Sequence, residues 1–334
     1  MDAAFRAVQR YVSERVPDAR IPAADGVPSL ETRRTPDDPP RLTPASVLEG
    51  HALRAVRVEG DPTVGFAAFL DGTQRSEVLC YLDGLPVVAA TVASVVRLRV
   101  NRRLSTWSRG PEIGRALYAP LAYLAPAMGD ALAAGAAARG MSLVDTTAAE
   151  REEERPSPHP QALLERALTF VQHDRELIEK GLAERWCRLE HGPIFIDGSV
   201  QESEMVASAP CTVGVIKSHR TLYVSLADLR VVLALRRGQR SSVFRVASSR
   251  RTPVASWYLR LRDPAGHDPM WGLVRVEAAD LSARGERRED LSERADRISR
   301  WILAETSPLA LPDGRWDKMV YGIRDCEEFL RAVC

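Results

Sequence analysis

Residues 66–100, FAAFLDGTQRSEVLCYLDGLPVVAATVASVVRLRV, carry the pattern that most restricts what this chain can fold into. Runs rich in Val, Leu, Phe and Tyr, cut by Asp-Gly pairs, are the composition of buried strands that meet tight turns. The spacing predicts a short strand closing in a turn at Asp71-Gly72. It then predicts a hairpin with Asp83-Gly84 at its tip and a long return strand. The middle of such a sheet needs covering on both faces. The covering helices are sought first in residues 161–189, where Leu164, Ala167, Val171, Ile178 and Leu182 recur at helical spacing.

Around this centre the chain alternates. IFIDGSV, VGVIKSHRTLY, RSSVFRV, VASWYLRLRD and PMWGLVRVEAA read as strands. SLADLRVVLAL, ERADRISRWILAET and DCEEFLRAV read as helices. The expectation is a mixed α/β sheet with helices packed on it. Residues 1–50 divide from the rest as an N-terminal helix and a proline-rich extended arm, leaving 51–334 as the main domain. Within that domain the Ala-rich residues 111–140 are expected to form a helical insertion, and 148–160 an exposed loop. Phe5, Val8, Tyr11 and Val12 on the first helix suit packing on the chain's own core.

Composition narrows the function. The 334 residues carry a formal net charge of +1, so any nucleic-acid path has to come from local clustering. Only three lysines, Lys180, Lys217 and Lys318, stand among 46 basic residues. Five cysteines without a CxxC pair point to reduced thiols rather than zinc or disulfides. No apolar run is long enough for a membrane span and the first helix lacks a secretory h-region. A cytoplasmic protein with no membrane partner is expected. GxxxxGK[ST], HExxH and GxSxG are missing, so ATP hydrolysis by this chain is not indicated.

The chemistry-bearing features are few. Asp71 and Asp197 each follow an apolar strand. On neighbouring strands they would place hard oxygen donors a few ångströms apart, which suits Mg²⁺ or Mn²⁺. Asp-Gly is also the commonest turn dipeptide, and each pair alone reads equally well as a turn. Glu179 flanks the apolar stripe of the long helix and is angled partly inward. Glu176 points more toward solvent; both can equally be partners of Arg175 and Lys180. Lys217, Ser218, His219 and Arg220 follow another strand and could hold phosphates, or leave His219 to move protons. Arg236, Arg237 and Arg240 could line a nucleic-acid channel or simply solubilise a loop.

Taken in order, strand–DG[ST], hairpin, helix with an inner Glu, strand–DGS and VGVxK resemble the NurA nuclease family from about Val56 onward. The resemblance implies an RNase H-like mixed sheet flanked by helices, with peripheral helical elements. It implies a dimeric deoxyribonuclease using Mn²⁺ or Mg²⁺, with Asp71, Asp197 and either Glu179 or Glu176 at the metals and Lys217 on the nucleic acid. It also implies a HerA-type hexameric ATPase as partner, in DNA end resection or phage defence. The chain departs from the family near its last helix. Cys326-Glu327 stand where Ala-His is expected, and Tyr321 is expected to keep a role nearby. A catalytically degenerate adaptor that binds DNA or the ATPase without cutting is therefore the alternative. An RNA-directed nuclease on the same core is a third possibility.

Overall fold

The computed structural model describes residues 3–21, 39–101, 103–108, 110–148, 156–190, 192–248, 251–306 and 317–334. The proline-rich arm expected at residues 21–50 and the loop expected at 148–160 fall largely outside these. The chain opens with α1 (Ala3–Arg15) and the short strands β1 (Arg41–Leu42), β2 (Ser46–Val47) and β3 (Ala55–Arg57). The hairpin follows as β4 (Ala68–Leu82) and β5 (Leu85–Val100), then β6 (Arg103–Thr106), β7 (Glu112–Ala119), α2 (Pro126–Ala137) and β8 (Ser142–Asp145). The 30-residue α3 (Pro160–Leu189) leads to β9 (Ile194–Asp197), α4 (Glu204–Ser208), β10 (Thr212–Ile216), β11 (Thr221–Leu222) and α5 (Leu226–Leu233). The rest is β12 (Gln239–Ser241), β13 (Phe244–Ser248), β14 (Arg251–Arg260), β15 (Leu273–Ala279), α6 (Arg288–Glu305) and α7 (Tyr321–Val333).

Asp83 and Gly84 both take positive φ, 48° and 79°, which is the backbone a two-residue hairpin turn demands. Asp71-Gly72 does not turn. β4 runs through it without a break for 15 residues, against the expectation of a strand end there. The reason is pairing: β5 matches β4 along its length, with Asp71 opposite Val95 and Gly72 opposite Ser94. The helix expected from residue 111 also starts later. Residues 112–119 pair with β5 as β7, and α2 begins at Pro126.

The large sheet has the path β2-β13-β14-β15-β10-β9-β4-β5-β7-β8. Its centre is β7-β5-β4-β9-β10. The first three strands in chain order, β4, β5 and β7, are antiparallel; β9 then runs parallel to β4, and β10 parallel to β9. With α3 joining the antiparallel trio to β9, this is an RNase H-like core. α3 covers one face through Leu182, Ala183 and Trp186 against Ala68, Leu70, Ile194 and Ile196. α6 and α7 cover the other through Ile298, Ile302, Ile323 and Leu330 against Phe69, Val95, Phe195 and Val215. Phe66, just before β4, meets Phe195 edge-on at 5.3 Å and Trp301 at 5.7 Å, and Phe69 of β4 meets Phe195 at 6.0 Å, so aromatic contacts tie β4 to β9 beneath the site. α1 buries Phe5, Val8 and Val12 in a smaller core with Leu79 and Leu117. Among the described residues no helix is long and apolar enough to cross a membrane.

Candidate functional site

The site follows from register. β9 pairs with β4 at Ala68↔Ile194, Phe69↔Phe195 and Leu70↔Ile196, and there the pairing stops. The next step brings Asp71 and Asp197 side by side on the same face, on parallel neighbours about 4.8 Å apart. β4 continues while β9 ends, so Asp71 sits where one edge of a central strand becomes free. Asp71 is only 7% exposed, and its carbonyl accepts from Ser94 Oγ at 2.8 Å. Lys217 lies two residues beyond Val215, the neighbour of Asp197 on β10, and donates from Nζ to Asp197 Oδ2 at 2.6 Å. Lys318 donates to the Lys217 carbonyl at 2.8 Å, so two of the chain's three lysines meet here.

Asp71, Asp197, Lys217 and Ser218 line a cavity of about 560 Å³. Glu179 approaches from the α3 face instead. It lines a second cavity of about 350 Å³ with Glu176, and Asp197 and Arg175 belong to both. Gly72 makes that approach possible, because a Cβ there would overlap the Glu179 carboxylate. Arg175 Nη1 donates to Glu179 Oε1 at 2.6 Å and its Nε to Gln74 at 3.2 Å. Glu176 is exposed, bonded to Gln172 at 2.8 Å, and does not line the cavity that holds Asp71.

The electrostatics of this cluster are unbalanced. Burial, then Asp197 and to a lesser degree Glu179, push the Asp71 carboxyl well above the usual range, against the pull of Lys217. Burial lifts Glu179 to about 7 despite Arg175. Burial works against the charged form of Lys217, but Asp197 and Asp71 outweigh it and hold the ammonium above the ordinary lysine value. Positive charge is therefore short beside three carboxylates. One oxygen of each carboxylate is bonded, by the Gly72 amide, Lys217 or Arg175; the other accepts no hydrogen bond among the described residues. Hard oxygen donors with open lone pairs and uncompensated charge fit a divalent cation. The described residues contain no group of three His, Cys, Asp or Glu already set at ligand spacing. The fit is thus one of chemistry, centred on Asp71 and Asp197, with Glu179 held aside by Arg175.

Two expected nucleic-acid contacts do not stand. Arg240 is fully buried, bonded to Glu49 at 2.6 and 3.0 Å and to Asp296 at 2.6 Å, so it locks the chain's early segment to α6 rather than facing a ligand. His219 bonds the Leu273 carbonyl through Nε2 at 2.9 Å, and burial pulls it down to about 4, far from a neutral-pH proton carrier. Arg237 is exposed, while Arg220 bonds β1 through its carbonyl at 2.9 Å; neither lines either of these two cavities, and nor does the exposed Tyr321 that opens α7. Cys326 is buried beneath Asp71, with Sγ 3.6 Å from the Phe69 carbonyl, whereas Glu327 faces the first cavity. The sequence did not single out Arg251, Arg275, Arg331 and Tyr223, which also line that cavity. They come from β14, β15, α7 and the residue just after β11, and only the tertiary fold gathers them.

No protein-family model matches the chain, and no curated protein matches it. Among solved structures it is similar to the NurA nuclease from Sulfolobus solfataricus, with 12% identity, a TM-score of 0.38 and 86% of each chain covered.

Proposed function

We propose that this chain is a divalent-metal-dependent nuclease that hydrolyses phosphodiester bonds in DNA. The observation that carries the reading is the adjacent pair Asp71 and Asp197, placed by parallel register at the open edge of an RNase H-like core and short of positive charge. Their open oxygens would hold Mn²⁺ or Mg²⁺, with Glu179 as the third donor once it leaves Arg175. A cation held there would supply Lewis-acid stabilisation of the phosphate's charge. The chain's own groups do the rest. Lys217 keeps Asp197 oriented and presents an ammonium to the phosphate. Glu179, which burial raises to about 7 without metal, would give up its proton on becoming a donor. A homodimer and a HerA-type ATPase partner belong to the same proposal.

The test is cleavage of single- and double-stranded DNA with Mn²⁺, beside RNA and hybrid substrates. Asp71→Ala and Asp197→Ala should each abolish cutting while the melting transition persists. If either variant cuts as well as the parent, the assignment is wrong. A second reading, an adaptor that binds without cutting, is favoured by one observation: Lys217 and Arg175 already neutralise two of the three carboxylates. Mn²⁺ separates the two readings, because a working site raises the melting temperature with metal. No shift together with no cleavage selects the adaptor.

A further inference from the structure

We infer that Arg275 is the residue that receives a nucleic-acid phosphate in the larger cavity, and that Glu277 sets it in place. The inference rests on the reading of the cavity as a nucleic-acid site and names a contact within it. On β15, Arg275 lies opposite Ile216, one step before Lys217. It is 7% exposed, yet it lines the cavity. Its Nη1 donates to Glu277 Oε1 at 2.6 Å and to Ser256 Oγ at 3.4 Å. Its guanidinium carbon stands 4.9 Å from the centre of the Tyr223 ring. Nε and Nη2 donate to nothing among the described residues. A guanidinium buried to this degree with open donors beside a cavity is a built anion site, since a planar fork matches a phosphate.

Glu277 explains the orientation. It is fully buried, and its Oε2 accepts from Ser199 Oγ at 2.8 Å and from the Val200 amide at 3.1 Å. The loop after Asp197 can reach it because Gly214, opposite Glu277 on β10, lacks a Cβ; one there would come within 2.7 Å of the Gly198 carbonyl. One carboxylate thus fixes both the loop that follows Asp197 and the arginine that faces the cavity.

The experiment is binding of a short fluorescein-labelled oligodeoxythymidylate in EDTA, followed by anisotropy across a salt series. Removing Arg275 alone strands a buried carboxylate, so the main variant is Arg275→Met with Glu277→Gln, which keeps an oxygen for Ser199 and Val200. Its affinity should fall about tenfold, and the slope of log K against log salt should shrink by about 0.7, one single-strand phosphate contact fewer. Glu277→Gln alone takes away the oxygen that Arg275 donates to and should lose part of the affinity and of the slope, less than the double variant; parental affinity and slope in Glu277→Gln would overturn its positioning role. An unchanged slope in a double variant that melts like the parent overturns the inference, as does a parent that binds no oligonucleotide. Cleavage by the Asp71 variants is read separately. The nuclease reading can therefore fail while Arg275 binding stands, and the reverse.

Discussion

Two clusters of buried charge in this molecule look alike in composition and behave oppositely. In the first, Arg240 is wholly enclosed and meets Glu49 through two bonds, Asp296 through one and Ser292 through its hydroxyl and its carbonyl, while the Val243 amide also donates to Glu49. Burial works against the charged form of Glu49, yet Arg240, Ser292 and that amide outweigh it and hold its carboxyl below the usual value. In the second, Asp71, Asp197 and Glu179 share Lys217 and Arg175, and two of the three carboxyls lie above the usual range. The first cluster is satisfied and borders neither cavity. The second is short of cations, keeps open oxygens and borders both. Buried charge that is fully paired builds the fold; buried charge left wanting marks where a ligand belongs.

The largest effects should divide along this line. Asp71→Asn and Asp197→Asn should lower Mn²⁺-dependent DNA cleavage by on the order of 10²–10³-fold, as when an electrostatic group at developing charge is removed. Urea denaturation should show the Asp71 variant no less stable than the parent, because the charged carboxylate is disfavoured there. Arg240→Met should do the reverse. It strands Glu49 and Asp296 and should cost about 3–5 kcal/mol of stability. If the Asp71 variant loses as much stability as the Arg240 variant, the two clusters do not differ in kind.

Gly72→Ala sharpens the second cluster. Its new methyl competes with the Glu179 carboxylate for one volume, and such overpacking typically costs about 1–3 kcal/mol. Adding Glu179→Ala should recover most of that loss, a coupling that independent sites would not show. Strictly additive losses would mean that Glu179 is free to swing clear of β4.

The same glycine shows how far the sequence could be read. Asp71-Gly72 and Asp83-Gly84 are identical dipeptides in one strand-rich stretch, but only the second turns. Nothing local separates them; what keeps the first extended is pairing with β5 and a helix glutamate resting on a residue that lacks a side chain. The alternating core, α3 and the hairpin tip follow from local pattern and are legible. So is the placement of Asp71, Asp197 and Lys217 after apolar strands. Arg240 misleads because an arginine-rich loop looks solvated until Glu49, far back in the chain, and Asp296 are seen around it; His219 misleads because the Leu273 carbonyl that engages it lies on another strand. Arg275 and Glu277 read as ordinary alternation on a strand, since their partners Ser199, Val200 and Tyr223 lie on other elements.

The pH dependence of stability tests the comparison most directly, because one substitution made in each cluster should give opposite signs. In metal-free protein, Glu179 has its carboxyl raised from 4.5 to about 7. A raised carboxyl contributes stability that is present below 4.5 and lost as the pH rises through about 7. Glutamine resembles the protonated form and escapes that loss, so Glu179→Gln should match the parent near about pH 4 and exceed it by up to about 3 kcal/mol above about pH 8. Glu49 has its carboxyl lowered, so its contribution is present above the ordinary carboxylate value and fades as the pH falls. Glu49→Gln should therefore fall further behind the parent as the pH rises through that value and then level off. Urea titrations in EDTA across this range give both curves. Slopes of the same sign would place Glu179 in a satisfied environment like that of Glu49, and the charge deficit beside Asp71 would then rest on the two aspartates alone.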